Sequence, residues 1–236
     1  MDKIDIPDVN FITVLWRGDF RNRNYSIKHL DLLRGMIRRW TAGPYGFHVL
    51  ANDPEGIPAH EYIPQLYPEL KGWWPKLELF RDDLPLNGRC IYMDLDLIIT
   101  GALNPLIEHP GKLVFMKPID PAGSNNVKLH SERQSKEGMT VHYAVQSSVF
   151  AWDFKEVTLP YPEIVDMGLQ EQYRGDQDVF GKLFKGQFTQ FPAGWFQKLR
   201  DCYSTGPGKQ TKVVLGNPKK LYKKAMKDKS WQKYLK

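Results

Sequence analysis

The chain has 236 residues, a formal charge of +6, 42% hydrophobic and 13% aromatic content, which suits a folded globular domain and excludes a disordered chain. Two cysteines, Cys90 and Cys202, are too few for a disulfide scaffold and lack metal-ligand spacing, so a reducing, cytoplasmic setting is expected. The charged start MDKIDIPDVN has no signal-peptide core, no window reaches the roughly 18 apolar residues of a membrane span, and the net charge favours anionic partners such as nucleotides, phosphates, nucleic acid or acidic headgroups.

Phe11–Trp16 (FITVLW) reads as a strand, and Ile27–Trp40, with apolar residues at helical spacing, as a helix. Phe47–Ala51 is a second strand ending at the turn-rich NDPEG. Trp73–Phe80 (WWPKLELF) enters a helix with Pro75 in its first turn, where a missing N–H costs little. Ile91–Thr100, Leu113–Met116 and Ala144–Trp152 are further strands, the last two separated by a polar excursion from Asp120 to Gly138. A helix follows Asp176, and Lys212–Leu215 is strand-like. Strands alternating with helices predict an α/β sheet covered on both faces, with its ligand site beyond the carboxyl ends of the strands. Residues 1–216 form one catalytic-sized domain. From 217 the composition changes to NPKKLYKKAMKDKSWQKYLK, a basic tail expected to be helical.

The stretch CIYMDLDLIITG places Asp94 and Asp96 inside an apolar run. If the strand stays regular, both side chains leave from one face, where two carboxylates repel unless a cation or a shared proton relieves them. A hard divalent cation completed by substrate phosphates, Mn²⁺ or Mg²⁺, answers that need. The competing reading is a chance D-x-D in a hydrated turn.

In their order along the chain these segments resemble the retaining family 8 glycosyltransferases, the group of glycogenin and the bacterial lipopolysaccharide galactosyltransferases. The resemblance implies a GT-A nucleotide-diphospho-sugar transferase fold, a single Rossmann-like domain with a mixed central sheet. It further implies a hexosyl group moved from a UDP-sugar to a glycan, lipid or protein acceptor, and gives Asp94 and Asp96 the metal role. WWPKLELF matches the family's lysine element at Lys76, for which a solvated lysine is the alternative. FITVLWRGDFRNRNYS makes Leu15, Trp16 and Tyr25 candidates for base contact, with core packing the alternative for the first two. VQSSVFAWD puts Gln146 and Ser147 near the donor sugar, departing from the usual N-S-G pattern. RGDQDVF places Asp176 and Gln177 at the reacting face, although an Asp there also suits helix capping. VVLGNPKK matches the closing segment at Gly216 and Lys219, but Val213 and Leu215 stand where the family carries a metal-binding histidine. His130 and His142 are the substitutes considered.

The tail is read two ways. A helix there lays aromatic and apolar residues on the inner face of an anionic membrane, or it packs on the domain through Trp231. Two rival functions use the same features. A haloacid-dehalogenase-type phosphatase also has D-x-D after a strand, but near the start of its fold and with Thr or Val where Ile98 stands. A basic nucleic-acid-binding protein would use the lysines, yet they gather at one terminus and no recognised motif accompanies them.

Overall fold

A computed structural model describes residues 8–19, 25–119, 145–159, 168–173, 175–216 and 219–235. The polar excursion, His130 and His142 therefore lie outside the described residues. Strand β1 (Val9–Leu15) leads to helix α1 (Ile27–Trp40) and strand β2 (Gly46–Ala51). In α1 the buried residues Leu30, Leu33, Met36 and Ile37 recur at one-turn intervals and form the stripe that meets the sheet. Edge strand β3 (Tyr62–Pro64) precedes a 3₁₀ helix, Trp74–Phe80, every residue of which is buried. The expected helix at this segment is thus a tighter 3₁₀ turn.

Strand β4 (Arg89–Met93) follows, and here the structure departs from the sequence reading. The expected single strand Ile91–Thr100 is two: β4 ends at Met93, Leu95 and Asp96 form a turn, and β5 (Leu97–Ile99) belongs to another sheet. After the short helix α2 (Asn104–Ile107) come β6 (Leu113–Met116) and β7 (Gln146–Asp153), helices α3 (Leu169–Gln172) and α4 (Asp176–Leu183), and β8 (Thr189–Gln190). The 3₁₀ turn Ala193–Trp195, β9 (Phe196–Lys198), α5 (Leu199–Cys202), β10 (Val213–Leu215), α6 (Lys219–Ala225) and α7 (Lys229–Leu235) complete the chain.

The main sheet has seven strands in the order β3-β2-β1-β4-β7-β6-β8. The first four run parallel, β7 is antiparallel to both β4 and β6, and β8 is parallel to β6, so the sheet is mixed. Alternating residues serve its two faces. Phe11, Leu15, Ile91 and Met93 join the core under α1, while Ile12, Val14, Cys90 and Tyr92 join the core under the Trp74–Phe80 turn and α4. The small sheet, β5-β10-β9, continues the α1 side. Because β2 and β4 flank β1 on opposite sides, the strand order reverses at β1, and the crevice beyond the carboxyl ends of β1 and β4 is the topological switch point.

The tail packs on the domain. Tyr222, Ala225, Trp231 and Leu235 are buried and belong to the core under α1, and the Trp231 indole donates to the Tyr203 carbonyl at 3.1 Å. Of the apolar residues that a membrane-binding helix would present, Tyr222, Trp231 and Leu235 are used internally, and the exposed face carries Lys223, Lys224, Lys227, Lys229 and Lys233. Among the described residues no helix is long and apolar enough to cross a membrane.

At the amino end of the sheet, the half-buried His48 lies with Nε2 3.0 Å from Asn10 Oδ1, an atom left as acceptor because Asn10 Nδ2 donates to the Asn87 carbonyl at 2.6 Å. Burial, and then the neighbouring His60, pull His48 from 6.5 to about 4. The folded protein keeps this ring neutral where the unfolded chain protonates it, so stability falls as pH drops from 6.5 to 4, by up to about 3 kcal/mol. In urea unfolding across that window, His48→Gln should flatten this part of the profile; an unchanged slope would assign the acid sensitivity elsewhere.

Candidate active site

Breaking the strand at Met93 sets the two acids on different partners. Asp94 continues the β4–β7 ladder by one bond, its amide donating to the Ser148 carbonyl at 2.9 Å, and its carboxylate accepts from the Tyr92 hydroxyl at 2.6 Å. Lys76, from the buried 3₁₀ turn, brings its Nζ within 2.9 Å of Asp94 Oδ1 and 3.0 Å of Asp176 Oδ2. Asp176 also accepts from Ser147 Oγ at 2.7 Å, and the Lys76 ammonium lies over the Tyr92 ring, 5.0 Å from its centroid. Asp96 instead accepts from the Tyr25 hydroxyl at 2.9 Å, and its carbonyl takes the Gly216 amide at 2.8 Å. The same-face geometry of a regular strand is therefore replaced by a turn between the two sheets.

Lys76 is 5% exposed, so the solvated-lysine alternative does not hold. Burial pulls its ammonium down, but Asp176 and Asp94 outweigh that pull and hold it above the ordinary lysine value. The Tyr92 hydroxyl is pushed well up, first by burial and then by the charge of Asp94, so it stays protonated and donates.

The 3₁₀ turn that presents Lys76 is itself anchored by a buried acid. Glu78 accepts the amides of Leu66 and Tyr67 at 2.9 and 3.1 Å and pairs with Arg81, while burial raises its carboxyl above the usual range. Nor is Asp176 a cap: the N-cap of α4 is Gly175, without a side-chain capping bond, and the Asp176 carboxylate turns to Lys76 and Ser147.

The other sequence candidates divide. Trp16 and Tyr25 line a cavity with Trp73, Lys76, Tyr92 and Asp94 at the switch point. Leu15 is fully enclosed in the core, so packing accounts for it. Ser147 is buried, and it meets Asp176 through its hydroxyl and Lys76 through its carbonyl, at 3.4 Å. Gln146 bonds Ser148 Oγ at 3.1 Å, and Gln177 is half-buried on α4 beside Asp176. Gly216 is required by close approach, since a Cβ there would come within 2.2 Å of the Asp96 carbonyl oxygen and 2.4 Å of the Tyr222 ring. Val213 and Leu215 pair with Ile99 and Leu97 in the buried small sheet, where a histidine would place an imidazole in an aliphatic layer. Lys219 starts α6, and its side chain lies outside the described residues. Sequence reading missed Tyr92, although a tyrosine two residues before Asp94 on a strand shares its face.

Among the described residues no three His, Cys, Asp or Glu side chains assemble as a metal cluster. The donor set nevertheless suits a hard cation that arrives with its substrate. Among the described residues Lys76 pairs with Asp94 and Asp176, Asp96 follows on the adjoining turn, and the acids are all oxygen donors. A wider cleft of about 810 Å³ opens at the other end of the sheet beside Arg34, Tyr45, His48 and Tyr62, but there Arg34 is already paired with Glu61 and Asp31.

Neither protein-family models nor curated protein sequences match the chain. Its fold does match solved glycosyltransferases. The galactosyltransferase LgtC, solved in complex with donor and acceptor sugar analogs, aligns with a TM-score of 0.60 at 12% identity over 96% of this chain and 100% of that one. An active-site mutant of LgtC gives 0.60 at 11% identity with the same coverage. The glycosyltransferase GlyE of Streptococcus pneumoniae TIGR4 gives 0.59 at 13% identity, covering 96% of this chain and 62% of that one. The architecture is thus the GT-A-type fold of these enzymes, as the resemblance implied.

Proposed function

We propose that the protein is a glycosyltransferase that moves a hexosyl group from a nucleoside diphosphate sugar, a UDP-sugar first, to a glycan, lipid or protein acceptor, with retention at the anomeric carbon. The observation that carries this reading is the convergence of Lys76, Asp94 and Asp176 from three separate elements at the switch point of a glycosyltransferase fold. Carboxylates gathered in this way repel a diphosphate unless a divalent cation accompanies it. Asp94 and Asp96 would hold that cation, Mn²⁺ or Mg²⁺, which when bound supplies positive charge to the departing diphosphate.

The chain's own groups account for the rest. Trp16 and Tyr25 form the cavity wall offered to the nucleotide. Lys76 keeps a fixed positive charge beside Asp94 and Asp176, and the buried Ser147 hydroxyl fixes the orientation of Asp176. Asp176, with Gln177 and Gln146, offers hydrogen-bond acceptors and donors to sugar hydroxyls and negative charge to the ring as positive charge develops there. Gly216 lets the backbone approach the Asp96 turn, and Lys219, matched by the resemblance alone, would add positive charge near the diphosphate. The acids follow the fourth strand instead of the first, which speaks against the dehalogenase-type phosphatase. The lysine face of α6 and α7 is the part of the tail left to meet an anionic surface.

The test is calorimetric binding of UDP, GDP and ADP, followed by turnover of the sugar donors of whichever nucleotide binds. Binding should require Mn²⁺ or Mg²⁺ and disappear on chelation. Binding of none, or equal binding with and without the cation, would overturn the reading.

A further inference from the structure

Tyr222 lies behind the Asp96 turn, its ring against Gly216. Its ring is 2% exposed and rests against Gly216, whose amide holds the Asp96 carbonyl. The ring stacks on His29 at 6.4 Å and 17°; His29 meets Tyr25 edge-on at 5.4 Å, and the Tyr25 hydroxyl binds Asp96. Tyr222 thus reaches Asp96 by two routes, one through backbone and one through aromatic rings.

Its hydroxyl is buried and has no hydrogen-bond partner among the described residues. Leaving such a donor unsatisfied costs about 1–3 kcal/mol, and a phenylalanine would fill the same space without that cost. A tyrosine hydroxyl is protonated near neutral pH and hence a donor. A buried, unsatisfied donor beside a carboxylate is stabilised when an anionic oxygen comes within its reach.

We propose that Tyr222 is a donor-binding residue, its hydroxyl giving a hydrogen bond to an oxygen of the diphosphate bound beside Asp96. This rests on the glycosyltransferase reading. It gives helix α6 a task at the site on the side where β10 offers only Val213 and Leu215. The ring keeps Gly216 and the Asp96 turn in place; the hydroxyl is the part that waits for a ligand.

Tyr222→Phe separates the two, because it removes the hydroxyl and keeps the ring. In the full-length chain its melting temperature without ligand should be unchanged or raised. Calorimetric affinity for the best-binding of UDP, GDP and ADP with Mn²⁺ should fall about ten- to a hundredfold, the range of a hydrogen bond to a charged group. Tyr222→Ala, which also removes the ring, should lose melting temperature as well as affinity. If wild type and Tyr222→Phe bind the nucleotide equally while Asp96→Asn loses binding, this inference falls and the glycosyltransferase reading stands. If the wild-type chain binds none of the three nucleotides, both fall.

Discussion

Lys76→Met should lower the unfolding free energy at pH 7 by about 3–5 kcal/mol, the cost of leaving buried acids without their counter-charge. Methionine keeps most of the apolar stem, so the loss reports charge. In the wild type, Asp94 and Asp176 each lie within 3.0 Å of the Lys76 nitrogen and so within about 6 Å of each other. At that separation their mutual repulsion alone is worth about 3 kcal/mol at an effective dielectric constant near 20.

The pH dependence follows with a definite sign. Lys76 is held above the ordinary lysine value of 10.5, so its contribution is complete below that pH and is lost only as pH rises through the higher folded value. In the variant the acids lack their partner, their folded-state affinity for protons rises, and the deficit relative to wild type shrinks as the pH falls below about 5. Urea unfolding of both proteins at pH 7 and pH 4.5 measures this. A deficit under 1 kcal/mol at pH 7, or one that grows on acidification, would mean that the Lys76 cluster is not electrostatically coupled as described.

What could be read from the sequence followed from local rules. Helix α1 runs over the predicted residues because its stripe of Leu30, Leu33, Met36 and Ile37 repeats at helical spacing before the Thr41–Pro44 turn. The acidic pair stood out because carboxylates within an apolar run need compensation. What stayed hidden depends on long-range pairing. Leu97–Ile99, Phe196–Lys198 and Val213–Leu215 are three-residue strands whose only signal is short apolar character, and they make a sheet because distant segments meet. That sheet draws the chain away after Met93, so the regular strand that the pattern CIYMDLDLIIT suggests is broken at Asp94. The resemblance gave Lys76 and Asp176 each a role, but their pairing with one another was hidden, since they are 100 residues apart in the chain and nothing in either segment announces the other. Val213 and Leu215 were legible as departures from a family pattern; their burial in the small sheet supplies the physical reason.

Asp94→Asn and Asp96→Asn should each leave the protein folded and reduce sugar-donor turnover by at least about a thousandfold, corresponding to about 4 kcal/mol of lost charge stabilisation at the diphosphate. They should reach that result differently. Asp94→Asn takes one negative charge from a cluster in which one ammonium faces two carboxylates, so the ligand-free protein should be as stable as wild type or more so. The Asp96 carboxylate takes the Tyr25 hydroxyl, and an asparagine oxygen can keep that bond. Its loss should therefore leave thermal unfolding unchanged while Mn²⁺-dependent nucleotide binding falls in calorimetry. The two substitutions thus give the same loss of activity, with stability kept or raised in Asp94→Asn and unchanged in Asp96→Asn. Retention of turnover by either variant at wild-type rate would remove that acid from the cation site, and loss of folding in Asp94→Asn would show that Asp94 serves chiefly to hold Lys76 in place.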